Sequence, residues 1–265
     1  MSGRLQEKIN RRLQSGQKLF SIFVTAGFPK TEATVDIVLS LDKAGVDFIE
    51  LGVPFSDPIA DGPVIQQASA RALANGISLG KIFSVAADIR QHSQIPLILM
   101  GYLNPFLQLG LEESVRLSHE CGVDGWIIPD WPLNESRKMA PLLAQNDLEL
   151  IQLIAPNTPA HRIREIDRES HAFVYCTAYT GVTGKDNRPT AETRQFFQSL
   201  KKLVRHPVVI GFGIKSHSHV RTYGELADGV VIGSDFLRFI SDVSSAKLEQ
   251  KIGDYVHLLR FGKNK

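Results

Sequence analysis

The sequence predicts an α/β protein that folds as a (β/α)₈ TIM barrel, and three observations support this prediction. Eight short apolar runs are spread along the chain, and segments with the period of amphipathic helices lie between them. The length of 265 residues is ordinary for one such barrel. Because no linker or low-complexity segment divides the chain, we expect one barrel domain that spans residues 1–265.

Each predicted strand is a nearly continuous apolar run, as expected of parallel strands that are buried on both faces. The eight runs are residues 20–27, 48–54, 96–102, 125–130, 148–156, 172–179, 207–213 and 228–234. The segments between them, such as 31–45 and 113–122, end in glycine, which is favoured just past the C-terminus of a helix. A doubly wound open sheet is the alternative architecture, but it usually contains fewer strands.

Further helices are predicted outside the regular strand–helix units. The first seventeen residues predict an N-terminal helix before the first strand, which would close the bottom of the barrel. The connection 54–95 after strand two has room for an extra helix, and residues 235–241 after strand eight predict a short one. Residues 180–190 form a long, glycine-rich connection after strand six, and such connections are usually functional or mobile.

The composition argues against several classes of partner. The chain has 30 basic and 28 acidic residues, and because the basic residues are scattered, neither nucleic acid nor an anionic membrane surface is indicated. The two cysteines, Cys121 and Cys176, are too few for a disulfide framework. The N-terminus lacks an apolar signal region, and no run of 18 apolar residues occurs. We therefore expect a soluble, cytoplasmic protein.

Two carboxylates stand out because the active site of a barrel lies at the C-terminal ends of its strands. Glu50 interrupts the apolar run of strand two, and an inward-facing carboxyl there would have a raised pKa suited to acid–base chemistry. The alternative is a structural glutamate paired with a buried cation. Asp61 lies in the following loop, in an Asp-Gly pair that is otherwise an ordinary turn signal.

Glycines at the ends of three successive strands predict a phosphate site. Barrels often bind phosphate with the loops after strands seven and eight and with the N-terminus of a short extra helix. The backbone amides of Gly184, Gly213, Gly233 and Ser234 could converge there on one dianion. The alternative is that these glycines simply end strands.

Other chemistries have less support in the residues. No predicted strand contains a lysine for a Schiff base, and the eight histidines form no zinc pattern, so no metal is expected. Cys176 lies within a strand and is interpreted as a core residue. The glycine motifs do not make a dinucleotide fingerprint. The residues alone predict a phosphorylated small substrate and carboxylate acid–base catalysis, without naming that substrate.

Residues 50–66, ELGVPFSDPIADGPVIQ, resemble the signature of the tryptophan synthase alpha chain family. Five other motifs stand in that family's order and spacing, so the resemblance covers essentially the whole chain. They are FVTAGFP (23–29), YLNP (102–105), TGVTG (180–184), GFGI (211–214) and GVVIGS (229–234).

The resemblance implies a lyase of tryptophan biosynthesis that cleaves indole-3-glycerol phosphate to indole and D-glyceraldehyde 3-phosphate by a retro-aldol reaction. It implies that Glu50 is the acid/base, that Asp61 stabilises the charged indole nitrogen, and that Tyr175 lies beside the reacting glycerol. Two alternatives remain at this stage: another phosphate-binding barrel, such as an isomerase, and a non-catalytic barrel that only activates a partner.

The resemblance also implies the remaining parts of the site. The indole pocket would be lined by Phe23, Ile65 and Met100, and Thr183 would lie on a loop that closes toward the aspartate. The phosphate residues are the glycines and the serine named above. No cofactor is implied for this chain, since pyridoxal phosphate would belong to a beta chain in an alpha2-beta2 heterotetramer. The partner would be contacted through the loop 54–61 and the region 102–105, the latter taken as a loop.

Two residues and the segment AYT (178–180) depart from the usual family pattern. Asp235 follows the phosphate serine where a small apolar residue is more usual, and we expect it to point outward from the start of the short helix. Trp131 stands where a smaller residue is typical, in a loop expected to face the partner.

Overall fold

The computed structural model describes residues 3–177, 189–211, 213–243 and 245–262. Within these ranges the strands are β1 (Leu19–Thr25), β2 (Phe48–Gly52), β3 (Leu97–Met100), β4 (Gly125–Ile127), β5 (Glu149–Ile151), β6 (Leu153–Ile154), β7 (Val174–Thr177), β8 (Val208–Gly211) and β9 (Gly229–Ile232). The helices are α1 (Arg4–Gln14), α2 (Ala33–Lys43), α3 (Pro63–Ala74), α4 (Leu79–Arg90), α5 (Leu103–Leu109), α6 (Leu111–Glu120), α7 (Leu133–Gln145), α8 (Ala160–Glu169), α9 (Ala191–Leu203), α10 (His217–Leu226), α11 (Ser234–Ser241) and α12 (Leu248–Phe261).

The parallel strands form one sheet that curves into a nearly closed barrel. Their order is β5-β4-β3-β2-β1-β9-β8-β7-β6, so the two strands at the ends of the order, β5 and β6, are neighbours along the chain. Only Gln152 separates them. The strand predicted over 148–156 is therefore two short strands, of which β5 pairs with β4 and β6 pairs with β7. Together they fill one of eight barrel positions, and the predicted fold class is confirmed.

The helices predicted outside the regular units are all present. Helix α1 precedes the barrel, α3 and α4 fill the connection after β2, and α11 follows β9. Among the described residues, no single helix is long and apolar enough to cross a membrane. Helices α3 and α4 reach that length and composition only as a pair, bent by 94°.

Residues 102–105 are the start of a helix, so the prediction of a loop there is wrong. Tyr102 precedes the first residue of α5, and Pro105 lies in the first turn. Proline is tolerated in the first turn because the amides there have no partner within the helix. The amide of Leu103 instead donates to Oδ1 of Asp130 (2.9 Å).

A repeated hydrogen bond joins neighbouring strands at the N-terminal end of the barrel. Three aspartates that directly precede a strand each accept the backbone N–H at the start of the barrel strand before it. The bonds join Asp47 Oδ2 to Phe20 (2.9 Å), Asp124 Oδ2 to Leu97 (2.8 Å) and Asp228 Oδ2 to Val208 (2.9 Å). Each aspartate also donates its own backbone N–H to the carbonyl of the same partner residue, so the two bonds together fix the offset between the strands.

Helix α1 covers the same end and supplies cations to two of these carboxylates. Arg12 lies 2.9 Å from Asp47, and Arg4 lies 3.0 Å from Asp124. Arg90 of α4 also contacts Asp124, at 2.7 Å. The N-terminal helix therefore closes the bottom of the barrel, as the sequence predicts.

We expect Asp124→Ala to lower the free energy of unfolding by about 2–4 kcal/mol, because the Leu97 amide and Arg90 would lose a buried partner. Urea denaturation followed by circular dichroism measures this change. The control is Glu249→Gln, which breaks an ion pair with Lys43 in which both side chains are 64% exposed. An equal effect of the two substitutions would contradict this account of the barrel's lower end.

Candidate active site

Glu50 lies in the middle of β2 and is fully buried, with 0% exposure. It is in register with Phe23 on β1 and with Ile98 on β3. Neither carboxyl oxygen has a hydrogen-bond partner among the described residues, so no described cation pairs with it. Burial raises the pKa of Glu50 to about 8. The group therefore holds its proton near neutral pH and can donate it.

Tyr175 on β7 shares the interior with Glu50. Its side chain is buried, and its hydroxyl lies against Gly211 on β8, where an added Cβ atom would overlap it. Burial raises the pKa of Tyr175 well above its usual value, and the negative charges of Glu50 and Asp61 raise it further. The effect of both carboxyl groups on Tyr175 indicates that the three predicted catalytic groups lie near one another.

Asp61 is held by Tyr102, a residue that sequence reasoning did not assign to the site. The Tyr102 hydroxyl donates to Oδ2 of Asp61 (3.2 Å) and accepts the backbone N–H of Ala60 (2.9 Å). Burial raises the pKa of Asp61, and the bond from Tyr102 partly offsets that rise. A polar side chain just past the end of the third strand was the available signal, since barrel sites are built from such residues.

The predicted indole-pocket residues lie on three neighbouring elements. The ring of Phe23 crosses over Gly52, where an added Cβ atom would overlap it. Met100 on β3 is in register with Gly52, two residues beyond Glu50 toward the C-terminal ends of the strands. Ile65 is half-buried in the first turn of α3, after Asp61. Thr183 lies outside the described residues.

The predicted phosphate residues follow β8 and β9. Gly233 is the N-cap of α11 and Ser234 is its first residue, so their amides lie at the end of a helix that attracts anions. An added Cβ at Gly233 would lie 3.6 Å from Cβ of Phe23, which places this helix end beside the indole-pocket residue. Gly213 has a φ of +66°, which glycine adopts readily. Gly184 lies outside the described residues.

Of the departures from the family pattern, Asp235 and Trp131 have different surroundings, and residues 178–180 lie outside the described residues. Asp235 lies in the first turn of α11, and its Oδ2 accepts a hydrogen bond from the Tyr255 hydroxyl (2.8 Å). Trp131 is only 8% exposed and belongs to the hydrophobic core, and the prediction that its loop faces the partner stays a prediction. In the described ranges no group of three or more His, Cys, Asp or Glu residues is arranged to hold a metal ion.

The barrel holds a buried carboxyl that has no hydrogen-bond partner among the described residues, and this combination is typical of a (β/α)₈-barrel enzyme. Comparison with known proteins identifies the family within this class. The chain belongs to the tryptophan synthase alpha chain family, whose model matches residues 9–260. It is therefore a lyase of tryptophan biosynthesis that cleaves indole-3-glycerol phosphate to indole and glyceraldehyde 3-phosphate.

Individual relatives agree with this assignment over nearly their full lengths. The tryptophan synthase alpha chain of Christiangramia forsetii is 44% identical over 237 residues, which are 89% of this chain and 93% of the relative. The crystal structure of tryptophan synthase subunit alpha from Legionella pneumophila is similar with a TM-score of 0.90, 32% identity and coverage of 99% of this chain and 98% of that one. A chain of the tryptophan synthase complex from Pyrococcus furiosus gives a TM-score of 0.81 at 32% identity, with coverage of 91% and 97%.

We expect Gly211→Ala to lower kcat/KM for indole release by about tenfold or more, because a displacement of roughly 1 Å at a reacting centre has effects of that size. The added methyl group must push the Tyr175 hydroxyl out of its position.

The matched control is Gly253→Ala in α12, where nothing lies within 4 Å of the added Cβ. This control should retain wild-type activity. Wild-type kinetics of Gly211→Ala, with the protein folded, would contradict the placement of Tyr175 beside the reaction.

Proposed function

We propose that Glu50 is the acid and base of indole-3-glycerol phosphate cleavage. The observation that carries this proposal is a fully buried carboxyl with no described hydrogen-bond partner and a pKa raised to about 8. Protonation of indole C3 by Glu50 turns the ring into an acceptor for the electrons of the bond to the glycerol carbon. The carboxylate then takes the proton of the hydroxyl on that carbon as the bond breaks, which regenerates the acid and forms the aldehyde.

Asp61 is proposed to stabilise the positive charge that develops on the indole nitrogen. A carboxylate fixed in place before the reaction stabilises such a charge without reorganisation. The hydrogen bond donated by Tyr102 supports this role, because it favours the charged form of Asp61 and fixes its position. Tyr175, in the same interior, is proposed to contact the glycerol part of the substrate.

The substrate is proposed to bind along a line from the barrel interior to the N-terminus of α11. The indole ring would lie among Phe23, Ile65 and Met100, and the phosphate would bind at Gly213, Gly233 and Ser234. The contact between Phe23 and Gly233 supports this arrangement, because it makes the two subsites adjacent. Thr183 and Gly184, outside the described residues, remain sequence predictions for the same subsites.

We expect Glu50→Gln to fold and to bind substrate, but to lose roughly 10²–10⁴-fold or more in turnover, since general acid–base catalysis contributes that much per group. Single-turnover indole release measures the chemical step, and binding of glycerol phosphate serves as the control for the site. Turnover within tenfold of wild type would rule out the proposed role.

The proposed partner is a tryptophan synthase beta chain in an alpha2-beta2 heterotetramer. Exposed apolar residues in and near these regions support a contact through the loop 54–61 and the region 102–105. Ile59 on the loop is 87% exposed, and Leu107, one turn past the start of α5, is 54% exposed. Tyr102 joins the two regions, because it follows β3 and holds Ala60. A partner that binds the loop would therefore change the position of Asp61, and in this way it could influence the active site.

The chain is proposed to need no cofactor of its own, with pyridoxal phosphate bound by the beta chain. None of the described strands contains a lysine that could form a Schiff base in the barrel interior. The two cysteines are free, in keeping with the proposed cytoplasmic location. One barrel domain over residues 1–265 is proposed to carry the whole activity.

We expect a beta chain to increase the rate of indole release, and Ile59→Glu to reduce that increase at least several-fold, because a charge would be buried at the contact. Basal activity without the partner should change little. Leu258→Glu is the control, since Leu258 on α12 is 43% exposed and far along the chain from the loop. Equal stimulation of wild type and Ile59→Glu would contradict a contact at this loop.

A further inference from the structure

A hydrogen bond connects the last helix to the first turn of the helix proposed to bind phosphate. The Tyr255 hydroxyl on α12 donates to Oδ2 of Asp235 on α11 (2.8 Å). The Tyr255 ring stacks on Phe239 of α11, with centroids 4.4 Å apart and planes 19° apart, and it lies 5.6 Å from the ring of Phe236. Because both rings belong to α11, the hydroxyl is held in a fixed place relative to that helix.

The position of Asp235 creates an electrostatic conflict for an anionic ligand. It is the second residue of α11, after Gly233 at the N-cap and Ser234. The positive end of a helix attracts both its own first-turn carboxylates and a bound phosphate. Two anions at one helix end also repel each other, so the direction in which the carboxylate points affects phosphate binding.

The described contacts place the carboxylate on the outer side of α11. Asp235 and Tyr255 line a cavity of about 440 Å³ with Lys215, Ser216 and His217, which lie at the start of α10. Gly233 faces the barrel instead, next to Phe23. The bond from Tyr255 therefore holds the negative charge in an outer groove between α10, α11 and α12.

We propose that Tyr255 is a positioning residue for phosphate binding, whose hydroxyl keeps the Asp235 carboxylate turned away from the anion at Gly233 and Ser234. This inference rests on the proposed phosphate site. Without the hydroxyl, the carboxylate is free to rotate toward the amides at the helix end, where it competes with phosphate. The loss of phosphate affinity in Tyr255→Phe then comes from the freed Asp235 carboxylate. Removal of that charge should therefore restore phosphate affinity.

The alternative is that the bond only ties α11 to α12. In that case either partner would be equally important, and loss of both would be no better than loss of one. The two readings thus differ in the behaviour of the double variant. Tyr255→Phe keeps the ring stack, and Asp235→Asn keeps the side-chain shape, so both variants are expected to fold.

The test measures inorganic phosphate affinity by calorimetry, and KM and kcat for indole-3-glycerol phosphate, on the full chain. We expect Tyr255→Phe to weaken phosphate binding and to raise KM by about two- to fivefold, the size of a charge effect at a helix end, with kcat unchanged. Asp235→Asn should bind phosphate at least as tightly as wild type, and the double variant should match Asp235→Asn. Asp242→Asn, at the other end of α11, removes an equal charge and should change nothing.

Two results would overturn the inference while the phosphate site stands. One is unchanged phosphate affinity in Tyr255→Phe; the other is equal weakening in both single variants without recovery in the double variant. A separate arm tests the site itself with Ser234→Asp, which puts a charge at the first residue of α11 and should abolish phosphate binding. Wild-type affinity in Ser234→Asp would show that the phosphate site is elsewhere, and the inference would fall with it.

Discussion

Glu50 is a carboxyl group that lies completely buried in the barrel and meets no hydrogen-bond donor among the described residues. Burial of an unpaired charge costs far more than burial of a neutral acid, so this group holds its proton well above its usual range. The rest of the site follows from that constraint. Phe23 and Ile98, its register partners, maintain the apolar surroundings. The substrate must therefore bind next to the protonated carboxyl of Glu50.

Carboxylates at the two ends of the barrel differ in their hydrogen-bond and ion-pair partners. At the N-terminal end, Asp124 accepts a strand amide and lies beside Arg4 and Arg90, and Asp47 is held in a similar way. At the C-terminal end, Glu50 has no such partner, and Asp61 has only the hydroxyl of Tyr102 among the described side chains. The paired carboxylates at the N-terminal end stabilise the fold. They thereby offset the free-energy cost of the site residues, which lack such partners among the described residues and are needed for reactivity.

Much of this could be predicted from the sequence, because some features are local. The apolar runs that form the strands are visible without knowledge of the fold, and Glu50 is conspicuous as a carboxylate inside one of them. Features that depend on distant contacts could not be predicted. The break of the fifth strand at Gln152 reflects a change of pairing partner. The close approach of the Tyr175 hydroxyl to Gly211 depends on two strands meeting side by side.

One error and two omissions have the same origin, which is that the sequence does not show distant packing. The prediction of a loop at the start of α5 is wrong, since the first turn of a helix accepts Pro105. The burial of the Trp131 side chain was not predicted, because it depends on a core that no local pattern indicates. Tyr255 lies 20 residues from Asp235, and only the packing of α12 against α11 brings them together.

The pH dependence of folding stability tests the central claim about Glu50 most directly. The unfolded chain releases this proton near pH 4.5, whereas the folded chain keeps it until about pH 8, so the wild type loses stability as the pH rises between these values. Glu50→Gln has no such group. The account predicts that the variant gains free energy of unfolding relative to wild type from pH 4.5 to about 8, by up to ~1.4 kcal/mol for each pH unit, and no more above that. A constant difference across this range would contradict the claim that Glu50 is buried as a neutral acid.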